Sequence, residues 1–344
     1  MKRLVLQFTG PYQTSIHEET LSGPAPHEVL VQTLVSAISP GTELLLYRGQ
    51  WPENIPVDET IPALARKFAF PLKYGYAAVG RVVSVGSDLN SGWLGKTVFS
   101  FNPHESHFTA NPEHLIQVPE TLSPEEAAFL PNMETAVSFL MDGRPMIGER
   151  VVVFGQGVVG LLTTSLLARC PLSIVVTFDK YPLRRIKSRA LGANATLDPM
   201  DPKTKDSLAD LLGTSIPEGG ADLSYELSGN PSALDQAILA TGFGGRIVVG
   251  SWYGGKRADI DFGGRFHRSR IHIVSSQVSR LSPELTGRWN KSRRILLALR
   301  MLEDTGPAHL ITHRIPIQQA AEAYAILDQS PDTAVQVILT YEEN

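Results

Sequence analysis

Gly155-Gln156-Gly157-Val158-Val159-Gly160 spells G-x-G-x-x-G, and an acid, Asp179, follows 19 residues after Gly160. The pattern carries weight because of its setting. Arg150–Phe154 is a β-branched run that predicts a buried strand. The glycines predict a tight turn, residues 158–168 an apolar helix, and residues 173–178 a second strand with Asp179 at its end. In that order the residues suit a dinucleotide. Gly155 makes the turn, and Gly157 lets the backbone approach a pyrophosphate whose charge the helix N-terminus meets. Val158 and Val159 open the helix, and Gly160 lets helix and strand pack closely. Asp179 is placed to accept hydrogen bonds from the adenosine ribose hydroxyls. A carboxylate there repels a 2′-phosphate, so NAD(H) is favoured over NADP(H), although Lys180, Arg184 and Arg185 lie near enough to offset that repulsion.

The elements that must hold this loop alternate. Residues 181–191 read as helix, 221–227 as strand, 231–240 as helix and 245–250 as strand. Such alternation predicts a parallel sheet with helices on both faces. The first third is different. Residues 4–8, 28–35, 80–86, 94–100 and 113–119 are short strand-like runs divided by glycine and proline, which suggests a small barrel or sandwich. The pattern changes at Thr121, where Ser123 can cap a helix with Pro124 in its first position. Residues 133–141 are helical. Residues 292–303 form a helix with a basic face (Arg293, Arg294, Arg300), 316–327 another, and 334–340 a closing strand.

Bulk properties narrow the function. With 344 residues, 42% of them apolar, the chain suits two domains with sizeable cores. A formal charge of −4 gives no electrostatic case for nucleic acid or an anionic membrane. The one cysteine, Cys170, excludes an intramolecular disulfide framework and any cysteine-based structural zinc site made by this chain alone. The most apolar stretch, 150–170, has the length of a membrane span, but its glycines favour strand, turn and helix. The basic start has too short an apolar run for a signal peptide. A soluble, cytoplasmic protein is expected.

Taken in order, several segments resemble the medium-chain dehydrogenase/reductase superfamily. They are Ser39-Pro40-Gly41-Thr42-Glu43, Tyr74 to Val82, Gly95-Lys96-Thr97-Val98, the glycine loop, Glu226-Leu227-Ser228-Gly229-Asn230 and Ala320 to Tyr324. The resemblance implies a GroES-like β-barrel catalytic domain (1–131 and 280–344) and a Rossmann domain (132–279), with the active site in the cleft between them and a homodimer as the assembly. It also implies Ser228, Gly250 and Ser276 as further cofactor contacts. Zinc-dependent members carry a cysteine where this chain has Ser39-Pro40, and a His-Glu pair where it has Tyr76-Ala77. The third ligand position falls near Pro131. The usual zinc donors are therefore missing, and no zinc is expected. Locally, 38–43 is similar to the bacteriochlorophyllide dehydrogenase branch.

Without zinc, a hydride transfer still needs a group for the proton of the alcohol or carbonyl oxygen. By the resemblance, Thr42 stands where a hydroxyl passes that proton. Tyr76, in place of a zinc ligand, can donate to a developing alkoxide or simply fill the vacated space. His104 and Glu134 are the remaining catalytic candidates, and His104, His107 and Glu134 together are a conceivable but weaker metal set. The basic run 265–270 is a candidate anion contact, and Trp252-Tyr253 a candidate wall of the cofactor cleft. The expectation is an NAD(P)-dependent oxidoreductase acting on a small alcohol or carbonyl. An NADPH-dependent enone or quinone reductase and a non-catalytic nucleotide-binding protein remain alternatives.

Overall fold

Strand β1 (Lys2–Gly10) turns at Tyr12 into β2 (Gln13–Thr20), its antiparallel partner. β2 reads QTSIHEET and buries no residue fully, so its sequence has no apolar alternation. β3 (Val29–Ala37) is valine-rich and buried over most of its length, as a central strand must be. A short helix follows, α1 (Pro40–Tyr47), with Pro40 in its first turn and Ser39 at its N-cap. β4 (Ala78–Val85), β5 (Thr97–Ser100), β6 (His107–Ala110) and the two-residue β7 (Ile116–Gln117) come next. The strand expected over 113–119 is mostly absent. Asn111 accepts from the Glu113 amide and Pro112 starts a 3-10 turn there. Helix α2 (Pro124–Ala127) has the expected cap, with Ser123 and Glu126 forming a reciprocal capping box.

Helix α3 (Leu130–Gly143) leads into the alternating part: β8 (Arg150–Phe154), α4 (Val158–Leu167), β9 (Ile174–Phe178), α5 (Pro182–Ala190) and β10 (Ala195–Leu197). It continues through α6 (Thr204–Leu212), β11 (Ala221–Glu226), α7 (Ser232–Ala240), β12 (Thr241–Val249), β13 (His272–Ser275) and α8 (Lys291–Thr305). β14 (Ile311–Pro316), α9 (Ala320–Gln329) and β15 (Gln336–Thr340) close the chain.

This computed structural model describes residues 1–52, 55–57, 67–213 and 219–342. They fall into two units, one of 1–131 with 302–344 and one of 132–301. In the first, the strand order is β14-β15-β3-β4-β5-β7, with β6 also on β3, antiparallel except for β14 with β15. This is the GroES-like barrel. Its cores gather around Phe8, Tyr47 and Tyr324 and around Val31, Val82 and Phe108. In the second unit six parallel strands run β10-β9-β8-β11-β12-β13, the doubly wound Rossmann sheet. The winding reverses between β8 and β11, which marks the crevice where such sheets take ligands. Among the described residues no helix is long and apolar enough to cross a membrane. The apolar stretch 150–170 is divided into β8, the glycine turn and α4.

Candidate active site and nucleotide loop

The glycine loop lies at the carboxyl end of β8. Gly155 has φ +94°, and a Cβ there would stand 2.5 Å from the Ser228 Cα, so only glycine fits. A Cβ on Gly160 would meet the Gly155 carbonyl oxygen at 2.1 Å, which is the close packing of α4 on the loop. Gly157 is different: a Cβ there would meet nothing within 4 Å. It is the N-cap of α4 and gives no side-chain cap, so the approach to the helix N-terminus is open. Val158 is buried and Val159 half-buried in the first turn.

Asp179, buried just after β9, holds this loop from the side. Its Oδ2 accepts the Gln156 amide at 2.8 Å and its Oδ1 the Tyr181 amide at 2.9 Å. Of the nearby cations, Arg184 pairs with Asp179 itself, its Nη1 3.9 Å from Oδ2. Arg185 pairs with Asp198 at 2.9 Å and donates to the Asp179 carbonyl. The Lys180 ammonium and the Arg184 guanidinium lie 4.7 and 4.8 Å from the centre of the Tyr181 ring. On the other side of β8, Ser228 sits in the turn after β11, bonded to Glu226. Gly250 packs on Phe139, where a Cβ would fall 2.2 Å from Cζ. The Ser276 hydroxyl donates to Asp142 Oδ2 at 2.5 Å, and burial pushes the Asp142 carboxyl up.

Glu134 is not an isolated carboxylate in the second unit. Its Oε1 accepts from Arg294 Nε at 3.0 Å and Nη2 at 2.8 Å, and both side chains are buried. The basic face expected on α8 is corrected accordingly: Arg294 is 1% exposed and serves this pair. The basic run 265–270 is also partly committed. Arg265 donates to the Thr241 and Gly219 carbonyls at 2.8 and 2.7 Å, which ties a loop to the sheet.

In the first unit Thr42, Tyr76 and His104 fall around the start of α1. The Tyr76 hydroxyl donates to Ser39 Oγ, joining the two positions where the resembled enzymes carry zinc ligands. Thr42 is half-buried in the first helical turn, its amide 3.2 Å from the Ser39 carbonyl. His104 is fully buried one layer deeper. Its Nε2 lies 3.1 Å from Glu43 Oε2 and its Nδ1 2.7 Å from Ser36 Oγ.

Glu43 is the residue that sequence reading passed over. Its Oε1 accepts the Ser39 amide at 2.7 Å and its Oε2 accepts the Tyr324 hydroxyl at 2.6 Å. Ser36 also meets the Tyr341 hydroxyl at 2.7 Å. Burial, reinforced by the Glu43 charge, pushes both phenols up, so they remain protonated donors. The conceivable metal set of His104, His107 and Glu134 does not hold together. His104 is taken by Glu43 and Ser36, His107 Nδ1 by Ser106 at 3.1 Å, and Glu134 by Arg294. Among the described residues no group of three His, Cys, Asp or Glu is placed to hold a metal ion.

The family of zinc-binding dehydrogenases matches this chain over residues 158–293. That segment lies in the second unit and contains none of the positions 39, 40, 76 and 77. The D-guloside 3-dehydrogenase of Escherichia coli K12 is 25% identical, covering 99% of this chain and all of that protein. The 2-desacetyl-2-hydroxyethyl bacteriochlorophyllide A dehydrogenase of Cereibacter sphaeroides is 25% identical over 98% of both. An alcohol dehydrogenase from E. coli CFT073, solved with NADH, has the same fold, with a TM-score of 0.79 at 18% identity over 98% of this chain and 99% of that one. Another neighbour of the fold is bound to NADP. The chain is thus an oxidoreductase of the alcohol-dehydrogenase type, similar over nearly its whole length to members of the medium-chain dehydrogenase/reductase superfamily.

Proposed function

We propose that this protein is a zinc-independent dehydrogenase, specific for NAD(H) over NADP(H), that interconverts a small alcohol and its carbonyl. The observation that carries the nucleotide half is Asp179 beside the open Gly157. The carboxylate keeps lone pairs for two ribose hydroxyls while its amide contacts hold the loop in place. A 2′-phosphate would meet that negative charge; Arg184, 3.9 Å from the carboxylate, offsets part of it, while Arg185 is paired with Asp198.

The zinc-free half rests on donor chemistry. Zinc takes thiolate, imidazole or carboxylate in a near-tetrahedral set. Ser39, Pro40, Tyr76 and Ala77 offer two neutral hydroxyls bonded to each other, so these residues do not fit the ion. Bound nicotinamide supplies the hydride acceptor or donor at carbon. The chain's own hydroxyls bond the reacting oxygen. With Tyr76 donating into Ser39 Oγ, the Ser39 hydrogen is left to point at a substrate oxygen, and Thr42 is one turn away. As a carbonyl is reduced, the pair donates to the developing alkoxide, which takes its proton from water; as an alcohol is oxidised, the pair bonds its oxygen while the O–H proton, which two neutral hydroxyls cannot hold, leaves to water. His104 and Glu43 position Ser39 from behind. The proposal extends to a cytoplasmic homodimer, for which edge strand β13 leaves one side of the Rossmann sheet open.

The test is a calorimetric titration with NADH and with NADPH on the wild type and on Asp179→Asn. Tighter NADH binding that narrows or reverses in the variant is the expected result. Tighter NADPH binding by the wild type overturns the preference, and no binding of either overturns the nucleotide assignment.

A further inference from the structure

Glu226 ends β11 and is fully buried, yet among the described residues it forms no ion pair. A buried anion is costly unless donors surround it. Here they are neutral. The carboxylate accepts the Ser228 amide at 2.8 Å, the Ser228 hydroxyl, and the Tyr253 hydroxyl at 2.5 Å. The Glu226 carbonyl accepts the Gly250 and Ser251 amides at 3.0 and 3.2 Å. Ser251 Oγ in turn accepts the Gly229 amide, and Lys256 Nζ donates to the Gly229 carbonyl, both at 2.8 Å. The 227–230 turn and the 250–256 segment are therefore stitched into one layer. That layer touches the glycine loop directly, because Gly155 packs against Ser228.

Strand order says which part of a dinucleotide would lie there. Asp179 follows β9, on one side of β8; Glu226 ends β11 and Tyr253 follows β12, on the other. A pyrophosphate at the α4 N-terminus with its adenosine ribose at Asp179 must carry its second nucleoside over the carboxyl ends of β11 and β12. We propose that Glu226 and Tyr253 form a latch that holds the 250–256 segment as the bed for the nicotinamide half of the dinucleotide. They are positioning residues, and the proposal rests on the nucleotide reading above. Burial and the Glu226 charge push the Tyr253 hydroxyl up, so it stays a donor across the working pH range.

The two ends of the ligand separate a latch from a merely structural bond. Binding of NADH and of 5′-AMP is measured by calorimetry for the wild type, Tyr253→Phe and Ser251→Ala, with melting temperatures on the same samples. 5′-AMP engages only the Asp179 side. Tyr253→Phe should bind NADH about tenfold more weakly, the size of one well-placed hydrogen bond, with 5′-AMP unchanged. Ser251→Ala, which removes one stitch without touching Glu226, should show the same split at a smaller factor and keeps the test open if Tyr253→Phe fails to fold. Equal loss of both ligands, or a lower melting temperature with NADH affinity intact, overturns the latch alone. A wild type that binds neither ligand overturns the nucleotide reading and the latch with it.

Discussion

Glu134 in the second unit is held by a guanidinium, whereas Glu43 in the first is held by a phenol, an imidazole and a backbone amide. Both carboxylates are buried, but they leave different chemistry behind. The Glu134–Arg294 pair satisfies charge with charge and ties α3 to α8. The Glu43 cluster is built from groups that donate and accept, and through the Ser39 amide it fixes the hydroxyl that Tyr76 bonds. On the function proposed above, the second unit is the nucleotide platform. The first holds the polar groups that can serve a reacting oxygen.

The largest effects should come from removing either carboxylate's support, and their rescue should differ. Glu43→Ala strands the Tyr324 hydroxyl, the His104 ring and the Ser39 amide, and Arg294→Ala strands a buried anion; each should cost about 3–5 kcal/mol in urea denaturation. Replacing Glu134 and Arg294 together by leucine and methionine should recover most of that loss. Replacing Glu43 and His104 together should not, because the Tyr324 hydroxyl and the Ser39 amide lose the carboxylate that accepts from both. Equal recovery at both sites would erase the distinction between them.

Within the nucleotide platform, two glycines should separate folding from binding. Gly155→Ala forces a Cβ onto the Ser228 backbone at positive φ and should cost several kcal/mol, on the order of 3, along with NADH binding. Gly157→Ala meets open space, so stability should hold to within about 0.5 kcal/mol while NADH affinity falls about tenfold as the methyl blocks the pyrophosphate. Calorimetry and thermal melts on both variants make the comparison.

The smallest expected effect concerns Asp142. Its carboxyl is raised chiefly by burial, so the protonated form is favoured in the folded state. Stability from this group is present in acid and is lost as pH rises through its folded-state range. Asp142→Asn keeps an acceptor for Ser276 and should slightly raise the melting temperature at neutral pH, with the difference vanishing below the ordinary aspartate range. A variant that melts lower at neutral pH would show that the nearby arginines outweigh desolvation.

The geometry of the glycine loop was legible because its information is local. Gly155 to Gly160 lie in one turn, and Asp179 follows at the distance set by one helix and one strand. The first unit's cluster was not legible, because its partners are remote in sequence. Glu43 meets Tyr324 across 281 residues and Ser36 meets Tyr341 across 305. No periodicity or spacing links such pairs. Arg294 shows the same limit from the other side: its neighbours on α8 suggest a solvated basic face, and only the fold brings Glu134 to it. Among the elements, β2 and α1 escaped for physical reasons, one because it is polar on both faces, the other because Pro40-Gly41 reads as a turn although proline suits a first helical position.

Zinc content of NADH-competent protein is the most direct test of the hydroxyl-based site. The protein is purified in the presence of zinc, freed of loosely held metal by gel filtration, and assayed for zinc by mass spectrometry and for NADH stoichiometry by calorimetry. One NADH per chain with zinc far below one per chain is the predicted result. One tightly held zinc per chain, lost on Tyr76→Phe or His104→Ala, would contradict it.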